Sequence, residues 1–262
     1  MRARLNYWAD RLWRLFATGF CFFVFSAGGV IQTLLVVPFI YAMPGSEEQK
    51  ARRVRALQRR TFANFVWLLG AVGVIRFRVH NRELAERSAG CLVIANHPTL
   101  VDVVILYATL PKANCVVKGE LWRNRYWRGV LKAAGFISND NAEDLLAGCQ
   151  RALDRGESVL IFPEGSRTVP DKGLDFKRGM AQVAVRTHVP IMTVFITCKP
   201  LTLTKQTRWY QIPPRCADID VYFKEVLRPQ QLVSSYDDKP AAARQLTSFL
   251  QDYYQKGLKA YD

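Results

Sequence analysis

Residues 91–110, CLVIANHPTLVDVVILYATL, join a short apolar run to a longer apolar segment through a polar turn. The first run has the length of a buried strand, and the second has the length of a helix. The same alternation continues, with further strands predicted at 114–119, 136–138, 158–162, 190–197 and 218–226. Helices are predicted at 100–110, 120–135, 142–156, 177–188 and 241–258. Alternating strands and helices predict an α/β fold, with a largely parallel central sheet flanked by helices.

The polar turn in this segment carries His97 and, one helical turn further on, Asp102. It directly follows a predicted strand, and the carboxyl edge of a parallel sheet is where open α/β folds usually bind ligands. The Asp102 carboxylate could reach back to one imidazole nitrogen. Such a pair fixes the tautomer of the ring and stabilises the imidazolium that forms when the other nitrogen takes a proton. The alternative is structural: His97 caps the helix and Asp102 pairs with a basic residue.

A histidine–aspartate pair usually activates a nucleophile, but the chain contains no G-x-S-x-G elbow. The proton is therefore expected to come from the hydroxyl group of a substrate. A second polar turn, LIFPEGSRT at 160–168, follows another predicted strand. Gly165 permits a tight turn there, and Arg167 offers a planar fork suited to a phosphate. These residues predict an anion site at the same sheet edge as His97.

The overall composition restricts the partners and the chemistry. The formal net charge is +15 and the sequence pI is about 9.8. This balance favours an anionic partner, which could be a membrane surface, a nucleic acid or a phosphorylated substrate. The six cysteines are scattered and do not cluster with the histidines. Neither a zinc site nor a disulfide framework is expected, and no metal is predicted.

The N-terminal segment predicts a membrane anchor, because residues 15–46 contain no charged side chain. As a helix this run would be about 48 Å long, against about 30 Å for a hydrocarbon core. Basic residues flank both of its ends, which favours a re-entrant hairpin bent at Gly28–Gly29 over a tilted single span. Residues 61–75, with the basic segment before them, predict an interfacial helix, and a solvated basic helix is the alternative. The predicted domains are a membrane anchor, 1–75, and an α/β domain, 76–262.

The two polar turns together resemble the glycerolipid acyltransferase family, of the 1-acylglycerol-3-phosphate acyltransferase type. The first motif of that family, N-H-x4-D, is matched at 96–102, and its third, F-P-E-G-[ST]-R, is matched at 162–167. A K-x-E-L stretch is matched at 118–121, and the apolar fourth motif is matched around Pro190. The resemblance covers roughly residues 75–225, and the N-terminal segment looks like the membrane-seating part of this family.

The resemblance implies a role for each matched residue. His97 would be the general base, Asp102 would orient it, and the acceptor hydroxyl would attack an acyl thioester directly, without an acyl-enzyme. Glu164, Gly165 and Arg167 would hold an anionic head group, and the region around Pro190 would accept the acyl donor. The implied substrate-binding residues are Asn96, Lys118, Glu164, Gly165, Ser166, Arg167 and Pro190.

The resemblance also implies the partners and the location. The donor would be acyl-CoA or acyl carrier protein as a co-substrate, with no cofactor, and the acceptor would be a lysophospholipid drawn from a membrane. No nucleic acid is expected as a partner. The protein would lie at the inner (cytoplasmic) membrane, with its active site facing the cytoplasm.

One departure from the family pattern leaves alternatives open. The second family motif usually ends in an arginine, whereas the matching stretch here, 135–140, reads GFISND. An acyltransferase with a non-glycerophosphate lipid acceptor is therefore the first alternative. A lipid hydrolase, with water or Ser166 as the nucleophile, is the second. A non-enzymatic basic protein that binds membranes or nucleic acid is the third.

Overall fold

The computed structural model describes residues 2–125, 127–234 and 236–261. Its first element is one long helix, made of α1 (Arg2–Ile31), a π-helical segment (Gln32–Val36) and α2 (Val37–Ala42). The prediction of a hairpin bent at Gly28–Gly29 is wrong, because the helix continues through both glycines. Gly29 allows close packing instead, since a Cβ atom there would lie 3.1 Å from the indole ring of Trp127.

The chain reverses direction after α2. Ser46 then begins α3 (Glu47–Ala71) with a capping box, in which the Ser46 and Gln49 side chains each accept from the main-chain N–H of the other residue. α3 runs back along α1, and Gln32 Nε2 donates to Thr61 Oγ1 at 2.8 Å. The N-terminal part is therefore an antiparallel helix pair, and its second arm contains the predicted interfacial helix.

One face of the long helix is exposed and apolar. The segment Asn6–Ala42 has 37 residues and a mean hydropathy of 2.1 over its most apolar window, and only 17% of that window is buried. This segment is long and apolar enough to cross a membrane. The exposed side chains recur with helical spacing and are called the apolar stripe here: Leu12, Phe16, Phe20, Phe23, Ile31, Leu34, Leu35 and Phe39.

The central sheet has seven strands in the order β1-β7-β6-β2-β5-β3-β4. Among the strands in the described ranges, only β6 and β7 pair in the antiparallel sense, and all other neighbours are parallel. The predicted α/β class with a largely parallel sheet is confirmed. The strands are β1 (Ile75–His80), β2 (Leu92–Ala95), β3 (Ala113–Val117), β4 (Ile137–Ser138), β5 (Ser158–Ile161), β6 (Ile191–Lys199) and β7 (Ala217–Leu227).

The helices predicted within the α/β part are present, with one exception. The single helix expected over 120–135 is divided in two, because Asn124 is extended, with ψ at 118°. Tyr126, within this range, lies outside the described residues. The remaining helices are α4 (Arg82–Glu86), α5 (Asp102–Thr109), α6 (Gly119–Arg123), α7 (Arg128–Ala134), α8 (Ala142–Asp154), α9 (Arg178–Thr187), α10 (Pro229–Leu232) and α11 (Lys239–Lys259).

Helices cover the sheet on both faces, and two apolar cores result. On one face, Val66 of α3 and Ile105 of α5 pack in one cluster with Val93 of β2. On the other face, helices α8, α9 and α11 pack against the sheet, and Leu246 of α11 lies in one cluster with Ile94 of β2. Alternate residues of the same strand therefore supply both cores, as the pleat of a strand requires.

The predicted domain boundary between residues 75 and 76 falls inside β1. Ile75 is the first residue of this strand and is fully buried. Val66 and Leu69 of α3 belong to the same apolar cluster as Ile75 and as Ala17 of α1. The N-terminal helix pair thus completes one face of the α/β core.

Candidate active site

Four parallel strands bring their carboxyl ends to one edge of the sheet, which is called the site edge here. β2 leads into His97, β5 into residues 162–168, β3 into Lys118, and β4 into residues 139–140. β2 and β5 are direct neighbours in the sheet. The two motif loops that the sequence places at one edge therefore lie side by side.

His97 and Asp102 form a hydrogen-bonded pair, with 2.9 Å between His97 Nδ1 and Asp102 Oδ2. Asp102 begins α5 and is 0% exposed. The imidazole ring stacks on Phe162, with 4.2 Å between the ring centroids. When the Nδ1–H group donates a hydrogen bond to the Asp102 carboxylate, Nε2 carries a free lone pair and can accept a proton. The geometry expected of the pair is present, and its chemical role stays a prediction.

Thr99 fixes the Asp102 carboxylate, and reasoning from the sequence missed this residue. The Thr99 N–H donates to Oδ2 at 2.6 Å, and its hydroxyl donates to Oδ1 at 2.5 Å. With His97, three donors surround a buried carboxylate and offset the cost of its desolvation. A signal was present, because a threonine three residues before an aspartate at a helix start often forms such local bonds.

Glu164 holds the two motif loops together. Its Oε1 atom accepts from the His97 N–H at 3.1 Å and from the Thr168 hydroxyl at 2.6 Å. The Thr168 N–H in turn donates to the His97 carbonyl at 2.7 Å. Burial raises the pKa of Glu164, and the bonds from Thr168 and His97 oppose that rise. These contacts give Glu164 a structural role, and its predicted contact with an anionic head group stays a prediction.

Arg167 lies at the end of the same loop and is half-buried. Its Nη1 atom donates to the carbonyl groups of Leu203 at 3.0 Å and Thr204 at 2.8 Å. Burial lowers the pKa of Arg167, and the negative charge of Asp102 acts in the opposite direction. The guanidinium is therefore within electrostatic reach of the His97–Asp102 pair. Its role in binding an anion stays a prediction.

Gly165 and Ser166 shape the turn between Glu164 and Arg167. Gly165 has a φ of 66°, a left-handed conformation that glycine adopts without strain. The Ser166 hydroxyl donates to the Arg167 carbonyl at 3.3 Å and accepts from Lys205 Nζ at 3.4 Å. Neither partner is a general base, so these bonds do not support Ser166 as an activated nucleophile.

Asn96 joins strands of the sheet. Its Nδ2 atom donates to the Ile196 carbonyl at 2.7 Å, and its Oδ1 atom accepts from the Ile196 N–H at 2.8 Å. The side chain is buried and both ends of its amide are satisfied. These hydrogen bonds hold Asn96 against β6, and its predicted contact with substrate stays a prediction.

Charged residues cluster where β3 and β4 end. Lys118 Nζ lies 2.8 Å from Glu120 Oε1, and Arg123 Nη2 lies 3.2 Å from Asp140 Oδ1. The hydrogen bond and charge of Lys118 lower the pKa of Glu120. Lys118 shares the site edge with His97 but lies on the far side of β5. Its contact with substrate stays a prediction.

Pro190 lies at the opposite edge of the sheet. Its carbonyl accepts from the N–H of Leu92, the first residue of β2, at 2.9 Å. β2 and β6 are parallel, so Pro190 marks the amino edge. A strand of this length separates the two edges by on the order of 15 Å, at about 3.3 Å per residue. Pro190 therefore lies at the edge opposite to His97, and its part in accepting the acyl donor stays a prediction.

The described residues contain no group of three or more histidine, cysteine or acidic side chains that could hold a metal ion. All six cysteines are unpaired. Burial raises the pKa of Cys115, Cys149 and Cys198 to about 12, so these thiols are poor nucleophiles at neutral pH. The site edge offers an imidazole, a buried carboxylate and a guanidinium, which suit proton abstraction beside an anionic group.

Comparison with known proteins relates part of the chain to acyltransferases. Residues 76–197, which carry both motif loops, match the family model described as Acyltransferase. A 1-acyl-sn-glycerol-3-phosphate acyltransferase of Helicobacter pylori is 28% identical over 146 residues, 53% of this chain and 62% of that protein. A protein of the same name from Cocos nucifera is 24% identical over 181 residues, 66% of this chain and 54% of that protein. The chain thus spans roughly half to three-fifths of the length of these relatives.

A solved structure shares the fold over nearly the whole chain. It is the 1-acyl-sn-glycerophosphate acyltransferase PlsC from Thermotoga maritima, with a TM-score of 0.68 and 18% sequence identity. The superposition covers 96% of this chain and 97% of that one. This likeness concerns the fold, whereas the matched segment and the named relatives concern the sequence. By its sequence, the segment 76–197 is similar to the acyltransferase family.

Proposed function

We propose that this protein is a membrane-bound acyltransferase that moves a fatty acyl group from a thioester to the hydroxyl group of a lysophospholipid. The observation that carries the proposal is the His97–Asp102 pair at the site edge, 2.9 Å apart, with one imidazole nitrogen left to act as a base. The family match and the names of the relatives support acyl transfer to a 1-acylglycerol-3-phosphate type of acceptor.

The reaction that we propose needs no covalent enzyme intermediate. The acceptor hydroxyl gives its proton to His97 Nε2 while its oxygen attacks the thioester carbonyl. The carbon–sulfur bond then breaks, and the imidazolium returns the proton to the thiolate that leaves. Asp102 stabilises the positive charge on the ring between these two steps.

The proposed substrates suit the charge of the protein and its exposed surface. Acyl-CoA and acyl carrier protein are both acidic, and the chain has a net charge of +15. The apolar stripe offers a contact for the hydrocarbon region of a bilayer, from which a lysolipid can be taken. Basic residues on both flanks of the first apolar run favour the inner membrane, with the site facing the cytoplasm.

The Arg123–Asp140 pair favours a second candidate within the same chemistry. It places a carboxylate at the site edge, where the family pattern has an arginine instead. A negative charge there disfavours a phosphate group nearby. The acceptor could therefore be a lipid whose head group differs from glycerol phosphate.

Product analysis tests the proposal. Purified protein in detergent is given acyl-CoA or acyl carrier protein as the donor, with a panel of lysolipids, and the lipids are identified by mass spectrometry. Acylated lysophosphatidic acid supports the first acceptor, and acylation of another lysolipid alone supports the second candidate. Free fatty acid as the main product, formed equally without an acceptor, identifies a hydrolase. No donor-dependent product in any mixture contradicts an enzymatic function.

A further inference from the structure

The loop between β6 and β7 carries exposed aromatic and basic side chains. This β6–β7 loop, residues 200–216, contains three basic residues and no acidic residue. At its tip, Trp209 and Tyr210 are each 46% exposed. The Arg208 guanidinium lies 5.9 Å from the centre of the Tyr210 ring and donates to the Tyr210 hydroxyl at 2.7 Å. Aromatic side chains mixed with arginine or lysine are typical of a membrane–water interface.

The same loop packs against the first helix. The indole of Trp209 lies over Gly19 so closely that a Cβ atom there would be 3.3 Å from the ring. The ring centroids of Trp209 and Phe22 are 6.0 Å apart. Further along the loop, Arg14 donates to the carbonyl groups of Pro213 and Pro214 at 2.8 and 3.1 Å. The exposed tip is therefore held beside the part of α1 that carries the apolar stripe.

The buried part of the loop contacts both motif loops of the site. The Leu203 carbonyl accepts from the Leu100 N–H at 3.0 Å and from Arg167 Nη1 at 3.0 Å. Leu203 has a φ of 50°, which is unfavourable for a residue other than glycine. Such a conformation persists where the surroundings hold it in place, and it is common near functional sites. The neighbouring Thr204 carbonyl also accepts from Arg167.

We propose that the β6–β7 loop is a second membrane contact, which places Trp209 and Tyr210 in the interface of an anionic bilayer and thereby holds the carbonyl groups that position Arg167. This inference rests on the proposed function, in which the protein works at a membrane surface. The loop would link attachment to the bilayer with the order of the proposed anion site.

A bilayer is the occupant that the contacts favour. Trp209 continues the surface of the apolar stripe, because Gly19 and Phe22 beneath it lie next to the exposed Phe20 and Phe23 on α1. One flat partner can therefore cover the loop and the helix together. The loop carries Lys205, Arg208 and Arg215 without any acidic residue, so anionic lipid head groups match its charge.

Fluorescence quenching tests the contact directly in the full-length protein. The emission of the Trp209→Phe variant is subtracted from that of the wild type, which leaves the signal of Trp209. Vesicles of phosphatidylcholine and phosphatidylglycerol are prepared with and without brominated acyl chains. We expect brominated vesicles to remove most of the Trp209 signal and unbrominated vesicles to retain it. Equal signals in both would overturn the contact, and equal quenching in vesicles of phosphatidylcholine alone would overturn its anionic character.

Kinetics test the link to Arg167. We expect Trp209→Ala to raise the acceptor KM several-fold on anionic vesicles with kcat unchanged, and Trp209→Phe to restore most of the affinity. Phe249→Ala is the matched control, since this exposed aromatic lies on α11 at the other face of the sheet. An unchanged acceptor KM in Trp209→Ala would overturn the link. A wild type that acylates no acceptor would refute the proposed function, whereas the quenching result would still decide the membrane contact.

Discussion

The Oε1 atom of Glu164 accepts a hydrogen bond from the main-chain N–H of His97 at 3.1 Å. This contact joins the loop of the proposed base to the loop of the proposed anion site. Thr168 strengthens the junction, because its hydroxyl donates to the same Oε1 atom at 2.6 Å. The glutamate of the P-E-G-S-R stretch therefore sets the distance between the two loops.

Substitution of Glu164 separates this structural role from a charged binding role. Glu164→Gln keeps an oxygen that can accept both hydrogen bonds, so we expect near wild-type activity, and near wild-type stability at pH 4.5 and below. Glu164→Ala removes the acceptor of the Thr168 hydroxyl and leaves the His97 N–H only Thr168 Oγ1, at 3.2 Å. We therefore expect a loss of about 1–3 kcal/mol in the free energy of unfolding. Thermal unfolding and acyl-transfer rates check both variants. An equal loss of activity in Glu164→Gln and Glu164→Ala would show that the negative charge of Glu164 is needed.

The pKa of Glu164 predicts a pH dependence of stability. Its pKa in the folded state is raised above the usual value of 4.5 by burial. Between these two values the folded state binds more protons than the unfolded state, so the free energy of unfolding falls as pH rises. We expect Glu164→Gln to remove this fall, so that the stability difference from wild type grows in favour of the variant as pH rises above 4.5. Denaturant titrations at several pH values measure the difference, and a constant difference would contradict the prediction.

Arg167 is predicted to serve the acceptor. Loss of hydrogen bonds between a guanidinium and a phosphate removes about 1.5–3 kcal/mol, which corresponds to roughly ten-fold or more in affinity. We therefore expect Arg167→Ala to raise the acceptor KM by about that factor and to leave the donor KM nearly unchanged. Initial rates with each substrate varied in turn provide the measurement. A rise in the donor KM alone would place the acyl donor, and not the acceptor, at this residue.

The apolar stripe is predicted to bind the bilayer. Phe16 and Phe23 are 67% and 69% exposed, so replacing both with serine removes little packing inside the protein. Full burial of each ring in lipid is worth about 1.5–3 kcal/mol, so we expect the double variant to bind vesicles at least about ten-fold more weakly. Vesicle sedimentation measures this, with Phe249→Ser as the matched control. Equal binding by both variants would exclude the stripe as the main contact.

The sequence predicts the sheet well because its strands are short apolar runs between helices. It misses β1, since this edge strand alternates arginine with apolar residues and only part of it is buried. The prediction of a bend at Gly28–Gly29 is wrong because a glycine in a straight helix can instead allow a neighbouring ring to pack closely. Gly29 packs against Trp127 in this way. The position of a glycine in the sequence does not distinguish a helix bend from close packing against a ring.

At the site, the spacing of five residues predicts the His97–Asp102 pair. The residues between them form a turn before α5, so Asp102 begins the helix and does not lie one turn inside it. Contacts between residues that are distant in sequence are not predicted. Pro190 precedes β6, and the edge of the sheet at which it lies is known only once the direction of β6 in the sheet is known. Thr168 contacts His97 across two loops that are distant in sequence, and no pattern in the sequence encodes this contact.

The most direct test of the central claim is the rate of lipid acylation by two histidine variants made with the same substitution. His188 is exposed, has a φ of 56° and lies next to the amino edge of β6, so His188→Asn is the matched control for His97→Asn. We expect His97→Asn to lose on the order of 10²- to 10⁴-fold in rate, the usual contribution of a general base. His188→Asn should keep the wild-type rate. A His97→Asn variant that acylates its lipid as fast as the control would contradict the assignment of His97 as the base.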